Sequence, residues 1–309
     1  MRPLPIWFNT AFGLLASVAC GSSCVGDTYN SSRSTGDLGA AHVYKEAERL
    51  FDESEYEQAL ALCDQTLDEL FPARIYNRIQ AVAARCCVRL NRREDALQRI
   101  EAIFKRDSAS PYLSLVPLVW DDRLPVNERY LASPQDLQSK SPTRQLAAAS
   151  SLLLDSQHTE YCVEILTKVR AERRLPMSIL AETQLWRVQM PTTDTVYLPT
   201  VRRWQKRAAT LPESLRAGPQ FLVGRALQVR HKTDQASLEL LWLPMMRTDD
   251  PYLAASALAE SILCLEATGR RGAARRLRRE LQDCYGSTSA ARRLTSSDSN
   301  PPSAMPPGE

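Results

Sequence analysis

Apolar residues recur along most of this chain at three- and four-residue intervals, the period of one helix face. Val43, Ala47, Leu50 and Phe51 fall on one stripe, and Tyr56, Ala59, Leu60, Cys63, Leu67 and Leu70 on the next. A second pair of stripes follows: Ile75, Ile79, Val82, Ala83, Cys86 and Leu90, then Ala96, Leu97, Ile100, Ile103 and Phe104. The polar breaks within the pairs, Glu53 to Glu55 and Asn91 to Asp95, are short, and joints of that length lay consecutive helices antiparallel. Long Ala, Leu, Arg, Glu and Gln runs favour helix. Only 11 glycines and 7% aromatic residues argue against a turn-rich β design.

The pattern breaks between residues 111 and 142, where Pro111, Pro117, Pro125, Pro134 and Pro142 accumulate. Proline interrupts helices, so residues 111–140 read as an irregular crossing between two helical arms. Beyond it, "SPTRQLAAASSLL" and "RLPMSILAETQLW" repeat at 34 residues, aligning Pro142 with Pro176, Leu146 with Leu180 and Ala147 with Ala181. Residues 141–210 are therefore expected to hold two or three further helix pairs, and 211–294 a last helical section. The final "TSSDSNPPSAMPPGE", 295–309, has the composition of a disordered tail.

"AERLFDESEYEQALALCDQTL" and "AARCCVRLNRREDALQRIEAIF" resemble tetratricopeptide repeats. Ala47 and Ala84 take the small position of helix A and Ala59 and Ala96 that of helix B, twelve residues on; Gly224 and Ala236 repeat that spacing late in the chain. "ALAESILCLEATGRRGAARRLRRELQDCYGSTSAARRL" looks like the terminal repeat of exported members of that family. In 141–210, a proline opening an Ala-rich helix gives the section a HEAT-like look. The resemblance implies an all-α solenoid of stacked antiparallel helix pairs, with repeats at 41–110 and 211–294 and a groove for a segment of another protein. It places groove contacts at Tyr44, Glu48 and Phe51, then Ala81, Arg85 and Val88.

At the front, Met1-Arg2 precedes an apolar run from Ile6 to Ala19 that is too short to span a bilayer. Residues 1–19 read as a signal peptide. Cys20, directly after Ser17-Val18-Ala19, resembles the acylated cysteine of a bacterial lipoprotein, and 20–40, rich in Ser, Gly, Thr and Asp, reads as a flexible tether. A plain cleaved signal, or an apolar N-terminus on a cytoplasmic protein, stays open beside the lipid anchor.

Charge and chemistry narrow the function. The net charge of +3 implies no polyanion partner by itself, but nine acids crowd residues 45–69 while 270–293 is arginine-rich. No GxxxxGK, GxGxxG, HExxH, CxxC or GxSxG is present, and His42, His158 and His231 are far apart. No cofactor or metal is expected, Asp121-Asp122 reads as a turn or cap pair, and the six cysteines beyond Cys24 read as small core residues. Two basic features remain: "VRRWQKR" at 201–207, and a patch of Arg270, Arg271, Arg275, Arg276, Arg278 and Arg279. The expectation is a non-catalytic scaffold or adaptor that binds a protein partner in the bacterial cell envelope, lipid-anchored through Cys20. Nucleic acid is not an expected partner, and the oppositely charged ends of an elongated solenoid would give weak salt-sensitive self-association. The alternative is an intracellular helical-repeat adaptor whose basic C-terminal face touches nucleic acid.

Overall fold

The computed structural model describes residues 35–298, apart from 68–70, 116–117, 126–127, 129–130, 173–176, 191–193, 212 and 246–249. It is all-α, with no strand among the described residues. In chain order come α1 (Thr35–Asp52), α2 (Tyr56–Thr66), α3 (Ala73–Arg89), α4 (Arg93–Arg106), α5 (Pro142–Leu152), α6 (Thr159–Ala171) and α7 (Met177–Val188). Then follow α8 (Asp194–Ala209), α9 (Ala217–Val229), α10 (Thr233–Met245), α11 (Pro251–Ala267), α12 (Arg271–Tyr285) and α13 (Ser289–Asp298).

Four pairs are joined by the same turn. Ser54, Asn91, His231 and Gly269 have φ of 66°, 55°, 55° and 73°, the left-handed conformation that ends a helix. In each turn the next residue's N–H returns to a carbonyl five residues back: Glu55 to Leu50 (2.8 Å), Arg92 to Cys87 (2.7 Å), Lys232 to Leu227 (3.0 Å) and Arg270 to Leu265 (2.8 Å). Five residues after each left-handed residue stands an alanine, Ala59, Ala96, Ala236 and Ala274, at most 1% exposed. Small side chains there let the two helices of a pair approach closely. In the third such pair the opposing residue is Gly224, where an added Cβ would lie 2.6 Å from Leu240 Cγ. The pairs α5–α6 and α7–α8 lack this turn; α5 instead opens on Pro142 behind a Ser141 cap.

The helices stack in sequence order in two rows. Odd-numbered helices pack on each other (α1 on α3, α5 on α7, α7 on α9, α9 on α11, α11 on α13), and even-numbered ones cover them from outside. Burial follows the rows: α11 is buried along nearly all its length, whereas α12 buries only Ala274 and Leu281. This is a solenoid of helix pairs, interrupted between α4 and α5 by 107–141, which carries 3-10 turns at Pro111–Leu115 and Pro134–Gln138.

Several expectations need correction. Helix α1 begins at Thr35, so residues 35–40 are helical and not tether; α13 runs to Asp298, so 295–298 are not tail. The 141–210 section holds two pairs, within the two or three expected. The solenoid is also not elongated. Helix α4 abuts α5, and α11 lies three places further along the inner row; at about 9 Å per helix a straight row would hold them some 27 Å apart. Instead Arg93 Nη1 at the start of α4 lies 3.2 Å from Asp250 Oδ2 at the cap of α11. The inner row therefore curls back on itself. The signal segment, Cys20 and residues 299–309 lie outside the described residues.

Candidate functional site

The concave side of the inner row is already occupied along part of its length. Leu118, Val119, Trp120 and Asp121 run without helical structure and are all buried, and they touch four inner helices within a few residues. Val119 N–H donates to Ser150 Oγ on α5 at 3.0 Å, and the same hydroxyl lies 3.4 Å from the Val119 carbonyl oxygen. Trp120 lies flat against α9 at Gly218, where any Cβ would collide with its ring. Asp122 pairs with Arg187 of α7, which also donates to the Ser150 carbonyl (2.6 Å) and to Gln184 Oε1 (2.7 Å). Arg123 reaches Glu260 of α11 at 2.8 Å. A non-helical segment held by a backbone contact and side-chain anchors is how a helical-repeat groove holds a peptide. Here the peptide is the chain's own Pro-rich crossing.

The charges under this strap are paired. Burial pushes the Asp121 carboxyl up, but the Arg123 guanidinium 3.0 Å away overrides it and holds the group below the usual Asp range. Glu260, 1% exposed, takes Arg123, Arg225 (2.7 Å) and Arg293 (3.3 Å). Burial, then repulsion from Arg123, pull Arg225 below its ordinary value. Further along, the Glu128 carboxylate caps α13: it accepts from Ser289 N–H (2.8 Å), Ser289 Oγ (2.6 Å) and Arg292 Nη2 (2.9 Å). Arg93 donates to the Glu128 carbonyl at 3.3 Å and lies over the Tyr252 ring at 4.8 Å. A small cleft opens here, lined by Arg93, Trp120, Glu128 and Asp250 among others.

Over α1 and α3, where the crossing sets its Pro111–Leu115 turn against α3, the inner face carries a different surface. Arg74, Arg78, Arg85 and Arg89 recur along α3 at intervals of four, seven and four residues, which puts them on one stripe. Arg78 lies over the Tyr44 ring of α1 at 5.3 Å and donates to the Tyr112 hydroxyl at 3.1 Å. Arg85 and Arg89 lie over Phe51 at 4.1 and 6.0 Å. Burial and the nearby Glu48 carboxylate push the Tyr44 hydroxyl above its ordinary value. The result is a partly exposed cationic strip flanked by Tyr44 and Glu48.

Of the groove residues expected from the sequence, Tyr44, Glu48 and Arg85 are half-buried on this face. Phe51, Ala81 and Val88 are corrections: they are 8%, 3% and 2% exposed, packed in the core, because α3 is covered on nearly every side. Sequence reasoning missed Arg74, Arg78 and Arg89, although the arginine spacing along α3 was visible. In the C-terminal patch, Arg271, Arg275, Arg276 and Arg279 are exposed, whereas Arg270 pairs with Asp234 (3.0 Å) and Arg278 with Glu266 (2.7 Å). Asp121 and Asp122 anchor the strap. Five cysteines are buried, and desolvation pushes the thiols of Cys63 and Cys86 up to about 12 and those of Cys87, Cys162 and Cys264 up to about 11. Cys284 is exposed. Among the described residues no cluster of three His, Cys, Asp or Glu is placed to hold a metal ion, and no helix is long and apolar enough to cross a membrane.

Comparison with family models, curated proteins and solved structures gives no match for this chain.

Proposed function

We propose that this protein is a non-catalytic helical-repeat adaptor whose open groove, over α1 and α3, receives an extended acidic segment of a protein partner. One observation carries this reading: the same inner row, from α5 to α11, holds the non-helical Leu118–Arg123 segment through a backbone contact and side-chain anchors. The adjoining α3 face offers four arginines beside the half-buried Tyr44 ring of α1, a surface suited to carboxylates. The tetratricopeptide resemblance supports the same use of the groove. In this reading the adaptor works in the bacterial cell envelope, tethered by acylated Cys20, and carries out no chemistry of its own.

A photo-crosslinking residue in place of Glu48, with a control at Glu57 on the outer side of α2, tests the groove in living cells. A discrete adduct from position 48, absent at 57 and lost with Arg78→Glu and Arg89→Glu, is the expected result. Equal adducts at both positions, or an adduct indifferent to the arginines, would overturn it. The anchoring is checked by the intact mass of the mature chain, which should show diacylated Cys20 and not Met1.

A further inference from the structure

The outer row carries a surface that the groove does not use. Helix α10 buries Ala236, Leu240 and Leu243 against the core, yet its opposite side is also apolar: Leu238 is 72% exposed and Met245 78%, seven residues apart on one stripe, with Leu241 and Trp242 half-buried at its edges. Apolar side chains this exposed on one stripe belong under a cover, and none of the described residues supplies one on this face. Its two outer-row neighbours are pinned alongside. Gln205 Nε2 of α8 donates to Glu239 Oε1 of α10 at 2.7 Å, and Arg270 Nη2, capping α12, lies 3.0 Å from Asp234 Oδ1 of α10.

Those neighbours carry the two basic motifs. On α8, Arg202, Arg203 and Lys206 are exposed because Tyr197, Val201, Trp204 and Ala208 take the inward stripe; Leu198 is exposed beside them. On α12, Arg271, Arg275, Arg276 and Arg279 are exposed, and none makes an ion pair with a described residue. Against these seven cations the described side chains on the exposed sides of α8 and α12 set only Glu280 and Asp283. Asp234 and Glu239 on α10 are already engaged by Arg270 and Gln205. With neighbouring helices about 9 Å apart, the cations flank the apolar stripe within a single patch.

We propose that this outer face, α8–α10–α12, docks on an anionic bilayer surface. Leu238, Met245 and Leu198 enter the headgroup boundary while the arginines and Lys206 on either side meet lipid phosphates. The pairing of exposed aliphatic residues with a cationic surround is the signature of a surface that lies on a membrane without crossing it. A soluble acidic protein would be met by the cations but gives no role to Leu238 and Met245, and a second copy of this chain would set seven cations against seven. The inference goes beyond the groove reading and does not require it. It orients the molecule, with the outer row on the lipid and the concave side and its α3 arginines facing away.

Co-sedimentation of the full chain carrying Cys20→Ser, and so without an acyl anchor, tests this with vesicles of phosphatidylcholine alone and with added phosphatidylglycerol. Binding should need the anionic lipid and fall as salt rises. Leu238→Glu with Met245→Glu, and separately Arg276→Glu with Arg279→Glu, should each weaken it about tenfold or more, while circular dichroism confirms the fold, since all four side chains are exposed. Equal binding to both vesicle types, or unchanged binding by both variants, overturns the proposal. A concentration-dependent dimer abolished by Leu238→Glu with Met245→Glu, without vesicle binding, also overturns it and assigns the face to a second copy. Neither outcome bears on crosslinking at position 48, so the two readings fail separately.

Discussion

Gly218→Ala isolates what the strap contributes, because a matched control exists in the same chain. Gly218 is the second residue of α9 and Gly272 the second residue of α12, so replacing either with alanine brings the same backbone gain, at most about 1 kcal/mol of helix propensity. Their surroundings differ. A Cβ at 272 meets nothing within 4 Å, whereas one at 218 falls inside the Trp120 ring system. Trp120 is 6% exposed and part of the main core. Were the ring driven out entirely, about 200 Å² of burial at about 25 cal/mol per Å² would be lost, roughly 5 kcal/mol. A ring that only shifts and strains its neighbours costs about 1–3 kcal/mol. Gly218→Ala should therefore be less stable than Gly272→Ala by about 1–5 kcal/mol, with Gly272→Ala neutral or stabilising against the parent, read from urea midpoints at constant slope. Chymotryptic cleavage at Trp120 should also quicken in the first variant only. Equal midpoints for the two variants, or a more stable Gly218→Ala, would show that Trp120 is not seated on α9.

Two further outcomes follow from the strap and its anchors. Glu128→Gln keeps the shape but removes the charge that Ser289 and Arg292 share, so hydrogen exchange in α13 should quicken about tenfold while that in α2 stays unchanged. Asp121 is held below its ordinary value, so its contribution is present above about pH 3.9 and is lost as pH falls from there through the depressed folded pKa. Acid titration of stability should accordingly be shallower below about pH 4 in Asp121→Asn than in the parent, and identical slopes would show that the pairing with Arg123 does not form.

The helix pairs were legible because their signals are local. The stripes from Val43 to Phe104 mark α1 to α4, and the paired small residues Ala47/Ala59, Ala84/Ala96 and Gly224/Ala236 mark close approaches inside a pair. The fourth pair, read from the sequence as a terminal repeat, has the same turn hydrogen bonds at Gly269, with Ile262 in place of the small partner of Ala274. The groove was only half legible. Tyr44, Glu48 and Arg85 lie on it, but helical period alone cannot say that α3 is covered on nearly all sides, which removes Phe51, Ala81 and Val88. The strap was illegible for a different reason. Prolines at 111, 117, 125 and 134 predict an irregular crossing, yet its course depends on Ser150, Arg187, Gly218 and Glu260, residues 31 to 137 positions from their partners that carry no motif.

The crossing also changes what the charge asymmetry means. In an open solenoid each pair touches only its neighbours, stability is a sum along the row, and the two ends are independent surfaces; acidic and arginine-rich ends would then find each other only between molecules. Here contacts spanning 157 to 164 residues, Arg93 with Asp250 and Glu128 with Ser289 and Arg292, tie the start of α4 to α11 and α13 through the crossing. Arg292 and Arg293 of the basic end are engaged inside the molecule by Glu128 and Glu260. The arginines left exposed are those of α12, whose side chains share the outer face with the apolar stripe of α10. Closing the superhelix has thus divided the basic residues between two faces: those on α3 line its inner side, and those on α8 and α12 ring an apolar stripe of α10 that no described residue covers.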